Sequence, residues 1–202
     1  MKISKLQYIT SNPIHAEKAC KGGADWIQLR VKNKSFEEWK VLALETKRIC
    51  KLYKAKLIIN DNVLLAKEIN AAGVHLGKED MSLTEARKIL GEKFIIGGTA
   101  NTIEDIMRLH RMNVDYIGLG PFRFTSTKEK LSPVIGINGY IYMFPELKRR
   151  DMNIPVIAVG GIRTGDVKSL IKAGVYGVAL SSAITNTNDI TKSTQEFIKL
   201  LS

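Results

Sequence analysis

Cysteine is scarce in this chain of 202 residues: there are two, Cys20 and Cys50. Both fall in segments that read as helices, and neither belongs to a CxxC or Cys/His pattern. That argues against a disulfide framework and against a zinc site, and leaves two small core thiols. Long apolar runs are missing too. None approaches the roughly 18 residues a membrane-spanning helix needs, and residues 1–10 read as a first strand, without the apolar core and small-residue cleavage site of a signal peptide. A cytoplasmic protein with no membrane partner is the expectation. Acidic residues are outnumbered, 20 against 31 basic ones, for a formal charge of +11. An excess of that size attracts anionic ligands and weak, non-specific nucleic-acid contacts. Most of it, however, sits on helical faces, as in Lys47-Arg48, Lys51, Lys54, Lys56 and Lys148-Arg149-Arg150. With no RNA-recognition motif, zinc finger or basic tail, no specific nucleic-acid partner is expected. Linkers, low-complexity segments and simple repeats are likewise absent. A single domain over residues 1–202, with an ordinary 45% hydrophobic content, accounts for the chain.

What is present is an alternation. Strand-like apolar runs occur at residues 6–10, 26–29, 57–59, 73–76, 94–97, 116–119, 155–159 and 177–180. Most are rich in Val, Ile and Leu without strict alternation, the pattern of parallel strands covered on both faces. Amphipathic stretches lie between them. Residues 36–53 are the clearest, with Trp39, Leu42, Ala43, Ile49 and Cys50 on or near one face; Ser35 and Glu38 form a capping-box signature ahead of it, and Ser82 with Glu85 repeats the signature later. Eight strands alternating with eight helices predict an α/β protein, a (β/α)8 TIM barrel. A doubly wound open sheet is the competing architecture. It usually carries a glycine-rich phosphate loop after its first strand, and Thr10-Ser11-Asn12-Pro13 holds no glycine. The barrel is therefore preferred, with its active site at the C-terminal ends of the strands.

Seven of those strand ends carry polar or glycine-rich clusters. Arg30 and Lys32 follow the second strand, two apart, and in an extended continuation both point to the barrel mouth. Arginine offers a planar fork to phosphate oxygens and lysine a compact charge, while Gln28 can hydrogen-bond the edge of a neutral heterocycle. Asp61 and Asp80 end the third and fourth strands, neighbours in a barrel. Two carboxylates so placed suit magnesium, which keeps water and substrate phosphate oxygens as further ligands; helix capping is the alternative role for each. His75, inside the fourth strand, reads first as a packed, hydrogen-bonded side chain. Gly160-Gly161 and Ser181-Ser182 follow the seventh and eighth strands, where many barrels bind phosphate with backbone N–H groups. The long irregular stretch 121–137, with Thr125, Ser126, Thr127 and Lys128, is a candidate lid. Two anion sites emerge, one basic and metal-assisted, one neutral and built from backbone.

Taken in order, QLRVK (28–32), ND (60–61), HLGKED (75–80), IGGT (96–99), GP…TSTK (120–128), GGI (160–162) and GVALSSAI (177–184) resemble the thiamine-phosphate synthase family over nearly the whole chain. The resemblance implies a transferase of thiamine biosynthesis. It would condense hydroxymethylpyrimidine diphosphate with a carboxylated thiazole phosphate to give thiamine phosphate, diphosphate and CO2. By position it puts pyrimidine-diphosphate contacts on Gln28, Leu29, Arg30, Val31, Lys32, Asn60, Thr99 and Lys128, with Arg30, Lys32 and Lys128 catalytic through charge. It puts a Mg2+ cofactor on Asp61 and Asp80, and thiazole-phosphate contacts on Thr125, Ser126, Thr127, Gly161, Ser181 and Ser182. Departures from the family pattern are Thr99 for serine, Lys78 for glutamine, Ser181 at an apolar position, and Phe122-Arg123-Phe124 for an aliphatic, aromatic and small residue. A thiazole tautomerase of the same fold and a non-catalytic phosphate-ligand sensor are the alternative readings. The first needs no diphosphate machinery, and the second predicts binding without turnover.

Overall fold

The computed structural model describes residues 3–124 and 132–202. Eight parallel strands close into a barrel in sequence order: β1 (Leu6–Thr10), β2 (Trp26–Leu29), β3 (Lys56–Asn60), β4 (Gly73–Leu76), β5 (Ile95–Ala100), β6 (Tyr116–Leu119), β7 (Val156–Val159) and β8 (Gly177–Leu180). Between them run α1 (Pro13–Lys21), α2 (Phe36–Leu52), α3 (Val63–Glu68), α4 (Leu83–Leu90), α5 (Ile103–Arg111), α6 (Gly136–Arg149) and α7 (Val167–Ala173), the last preceded by a 3-10 turn at Thr164–Asp166. After β8 come a four-residue α8 (Ser182–Thr185) and the closing α9 (Ile190–Leu201). The predicted (β/α)8 barrel is the observed one, with α8 as an addition. Among the described residues no helix is long and apolar enough to cross a membrane.

Local signals act where they were read. Ser35 and Glu38 form the full capping box of α2, and Ser82 accepts from the Glu85 N–H at 3.2 Å to cap α4. Each cap satisfies backbone donors that the first helical turn leaves without partners. One strand runs longer than its apolar run. β5 continues through Gly98, Thr99 and Ala100 because these residues pair with Ile117, Gly118 and Leu119 of β6; ladder pairing overrides the poor strand propensity of glycine. Cys20 and Cys50 are free and buried.

Strand alternation sorts the core into two parts. Outward side chains such as Ile27, Leu29, Leu57, Ile59, Val74 and Leu76 pack against the helices. Inward ones fill the barrel, where Trp26, Ile58, Ile95, Tyr116 and Ile157 form a separate apolar layer with Ile3 and Ala179. The rings of Trp26 and Tyr116 meet edge to face with centroids 4.8 Å apart, a favoured aromatic geometry. One step further along the strands the inward positions turn polar: Gln7, Gln28, Asn60, His75 and Thr99. The apolar layer thus forms a floor, and the polar positions above it open toward the C-terminal mouth.

Candidate active site

A cavity of about 370 Å³ occupies that mouth, within the usual range for small-molecule sites. Of the residues picked out in the sequence, Gln28, Arg30, Asn60, Asp61, Asp80, Thr99, Gly161, Ser181 and Ser182 line it. Leu29 and Val31 are buried in the layer between strands and helices, so only their backbone is available to a ligand. Lys32 is exposed and lies apart from the cavity wall. Thr125, Ser126, Thr127 and Lys128 lie outside the described residues.

Above the apolar floor runs a hydrogen-bond chain, buried at Gln7 and Gln28 and part-buried at His75 and Thr99. Gln28 Nε2 donates to Gln7 Oε1 at 3.2 Å, and Gln7 Nε2 donates to the Tyr116 hydroxyl at 3.1 Å. Tyr116 lies 3.0 Å from His75 Nδ1, and His75 Nε2 lies 3.0 Å from Thr99 Oγ1. Burial pushes the Tyr116 phenol well above its ordinary value, so its proton stays in place. Glycines make the room: a methyl group at Gly97 would overlap the Tyr116 ring at Cζ, and one at Gly118 would sit 3.0 Å from His75 Cε1. His75 is therefore a packed member of this chain, and it also lines the cavity.

Both aspartates face the cavity and neither caps a helix. Asn62 caps α3 by accepting from the Leu65 N–H at 2.9 Å, and Ser82 caps α4. Asp61 holds a left-handed backbone (φ 63°) as its N–H donates to the His75 carbonyl at 2.8 Å. Asp80 Oδ2 accepts from the Gly77 N–H at 2.6 Å, which fixes the carboxylate. Hard oxygen donors from two adjacent strand ends suit magnesium better than zinc or copper. Among the described residues no cluster of three or more His, Cys, Asp or Glu side chains is positioned to hold a metal; a two-carboxylate site completed by water and phosphate oxygens needs none. Lys78 also lines the cavity but pairs with Asp105 at 2.6 Å. Burial raises the Asp105 pKa, yet Lys78 and the Asn101 N–H outweigh it and hold the carboxyl below its ordinary range.

On the opposite wall Gly160 and Gly161 take φ of 100° and 63°, a conformation that glycine adopts at little cost. Any side chain would also collide: Cβ at Gly160 would lie 2.8 Å from Pro121 Cβ. Ser181 and Ser182 stand where β8 gives way to α8. Since strands three and seven of an eight-membered ring lie opposite each other, the Arg30, Asp61 and Asp80 wall faces the Gly160, Gly161 and Ser181 wall across the cavity.

Sequence reasoning missed Gln7, Ile9 and Asn101, all of which line the cavity. A polar residue inside an otherwise apolar run was the available signal for Gln7, and it was not read. Asn101 gives no such signal. It lines the cavity because its side-chain amide donates to the Gly120 carbonyl across two strand ends.

A barrel with a polar, carboxylate-bearing cavity at the C-terminal ends of its strands defines a (β/α)8 enzyme with the active site in the usual position for that fold. A family model described as thiamine monophosphate synthase matches residues 6–184, and the chain belongs to this family. It is 48% identical over 201 residues to the thiamine-phosphate synthase of Bacteroides fragilis, covering 96% of this chain and 98% of that one. It is also 48% identical over 192 residues to that of Flavobacterium psychrophilum, covering 92% and 93%. The solved thiamine phosphate pyrophosphorylase from Pyrococcus furiosus superimposes with a TM-score of 0.86 at 30% identity, over 98% of this chain and 95% of that one. The chain is thus a transferase of thiamine biosynthesis.

Proposed function

We propose that the chain joins hydroxymethylpyrimidine diphosphate to a carboxylated thiazole phosphate, releasing diphosphate and CO2 and leaving thiamine phosphate. The observation that carries this reading is the facing arrangement of two unlike anion-binding walls across one cavity. One wall has Arg30 with Asp61 and Asp80, and the other has Gly161 with Ser181 and Ser182. A condensation of two phosphorylated substrates needs such a pair, whereas an isomerase of one phosphate ester needs a single wall.

The steps follow from charge. The bond between the pyrimidine methylene carbon and the diphosphate oxygen breaks, and its electron pair leaves with diphosphate; the electron-rich ring and its amino group stabilise the cation left behind. The thiazole nitrogen lone pair then forms the new carbon–nitrogen bond. Loss of CO2 leaves an electron pair on the ring carbon, which takes up a proton. Arg30 would donate to the departing diphosphate as its charge grows, where preorganised donors contribute most. Lys32 and Lys128 would add positive charge. Asp61 and Asp80 would hold a magnesium ion, which when bound supplies further positive charge to the leaving group. Gln28, Asn60 and Thr99 would hold the pyrimidine edge. Gly161, Ser181 and Ser182, with Thr125, Ser126 and Thr127, would hold the thiazole phosphate, aiming the nucleophilic nitrogen so that positioning contributes the rest.

The test is product formation from the two substrates with and without magnesium. Thiamine phosphate should form only with magnesium, and Arg30→Ala should lower kcat by about 10²-fold or more. Asp61→Ala should abolish the magnesium response. Isomerisation of the thiazole carboxylate without condensation would replace this reading with the tautomerase. Ligand binding without either reaction would replace it with a sensor.

A further inference from the structure

The turn Gly160-Gly161 has two consecutive glycines and no side chain of its own to hold it, so its hold must come from elsewhere. It comes from the loop after β6. The Phe122 N–H donates to the Val159 carbonyl at 2.8 Å and the Arg123 N–H to the Gly160 carbonyl at 2.9 Å. The Arg123 side chain then reaches past the turn. Its guanidinium donates to both carboxylate oxygens of Asp166, at 2.9 and 3.0 Å, and to the Gly161 carbonyl at 2.6 Å. The Phe122 ring supports the guanidinium at 5.0 Å and is itself buried, tilted against Tyr140. Asp166 Oδ2 also accepts from the Arg163 N–H at 2.8 Å.

We propose that Arg123 and Asp166 form a positioning clamp for the anion cradle after β7, setting its affinity for the phosphate of the thiazole substrate. The substrate assignment rests on the function proposed above; the clamp itself rests on geometry. Two consequences follow from the contacts. The Gly161–Ile162 peptide is trans, so its C=O and N–H point in opposite directions. Tying the carbonyl to Arg123, which stands outside the cavity, turns the Ile162 N–H the other way, at a residue that lines the cavity. A flip of that peptide, otherwise easy next to glycine, would break a charge-assisted bond. The second consequence is electrostatic. Asp166 precedes α7 directly, five residues beyond Gly161, and a bare carboxylate there would repel a bound phosphate. The bidentate pair with Arg123 cancels that charge, and the same contact holds the Asp166 carboxyl below its ordinary range. Arginine's planar fork makes all three bonds at once; a lysine has no such fork.

Steady-state kinetics, melting temperature and calorimetry separate this role from mere stability. Calorimetry would titrate inorganic phosphate into protein already holding diphosphate and magnesium, so that only the second wall is read. Arg123→Ala should raise KM for the thiazole phosphate about tenfold or more, the scale of a hydrogen bond to a charged group, while KM for the pyrimidine diphosphate changes little. It should weaken phosphate binding by a similar factor. Arg123→Ala combined with Asp166→Asn should recover part of that binding, since the repelling charge is gone. Arg123→Lys, which keeps the charge and loses the fork, should give the same selective change with smaller size, and it serves if the alanine variant is too unstable. Equal rises in both KM values, or unaltered phosphate binding in Arg123→Ala or Arg123→Lys, would overturn the clamp. So would a double variant no better than Arg123→Ala alone. A parent protein that binds phosphate in this assay yet makes no thiamine phosphate would overturn the functional reading, and the phosphate data would still decide the clamp.

Discussion

The hydroxyl of Tyr116 accepts from the Gln7 amide and lies 3.0 Å from His75 Nδ1. A hydroxyl that accepts from an amide has its own proton to give, and the imidazole nitrogen is the acceptor at hand. Donation from Tyr116 to Nδ1 would put the His75 proton on Nε2, donating to Thr99 Oγ1 at 3.0 Å, and leave the Thr99 hydroxyl proton for a ligand in the cavity. Nitrogen-15 NMR at neutral pH should therefore give the Nε2–H pattern for His75. Tyr116→Phe should lose that pattern and lower kcat/KM for the pyrimidine diphosphate by roughly tenfold, since buried partners are left unsatisfied. An Nδ1–H signal in the parent protein would refute the assignment. Residue types alone made Arg30, Asp61, Asp80 and the Gly160-Gly161 turn legible, because each is a charge or a pair of glycines beside a strand end. The chain from Gln7 through Tyr116 was not legible. Its members come from separate strands, and an isolated Gln or Tyr in an apolar run has no partner that local sequence can name.

At the scale of elements, the barrel interior depends on small residues opposite large ones. Gly97 of β5 is paired with Tyr116 of β6, and the Tyr116 ring fills the space that a side chain at Gly97 would take. Overpacking a well-filled core costs about 1–3 kcal/mol, so Gly97→Ala should lower Tm by roughly 2–12 °C. It should also disturb the Tyr116 contacts and reduce activity beyond what the Tm change explains. An unchanged Tm would mean that the ring and strand shift apart without cost. Strand and helix periodicity read correctly in the sequence because each is a local pattern repeated over several residues. The extension of β5 through Thr99 was missed for the opposite reason: its evidence lies in pairing with β6, not in its own residues.

For the whole molecule, charge and topology act together. The chain carries a formal charge of +11, and the substrates proposed for it are strongly anionic. Long-range attraction raises encounter rates and fades as salt shortens its reach. Between ionic strengths giving Debye lengths of about 30 Å and about 3 Å, kcat/KM should fall several-fold while kcat changes much less. Equal kcat/KM at both extremes would confine the charge to a solvated surface with no part in capture.

The alternation of apolar runs and amphipathic stretches determined by itself an α/β protein with parallel strands covered on both faces, and the glycine-free loop after the first strand favoured a barrel over a doubly wound sheet. The charge and polarity of the strand-end residues were equally plain in the sequence. Tertiary structure alone decided which of those residues meet. It closed β1 against β8, and put Lys32 outside the cavity and Arg30 on its wall. It also brought Arg123 onto Asp166 and Gly161, residues about forty positions away. The physical reason is the same in each case: propensity and periodicity act over one turn or one strand, whereas hydrogen bonds across the barrel mouth depend on where separate strands end relative to one another.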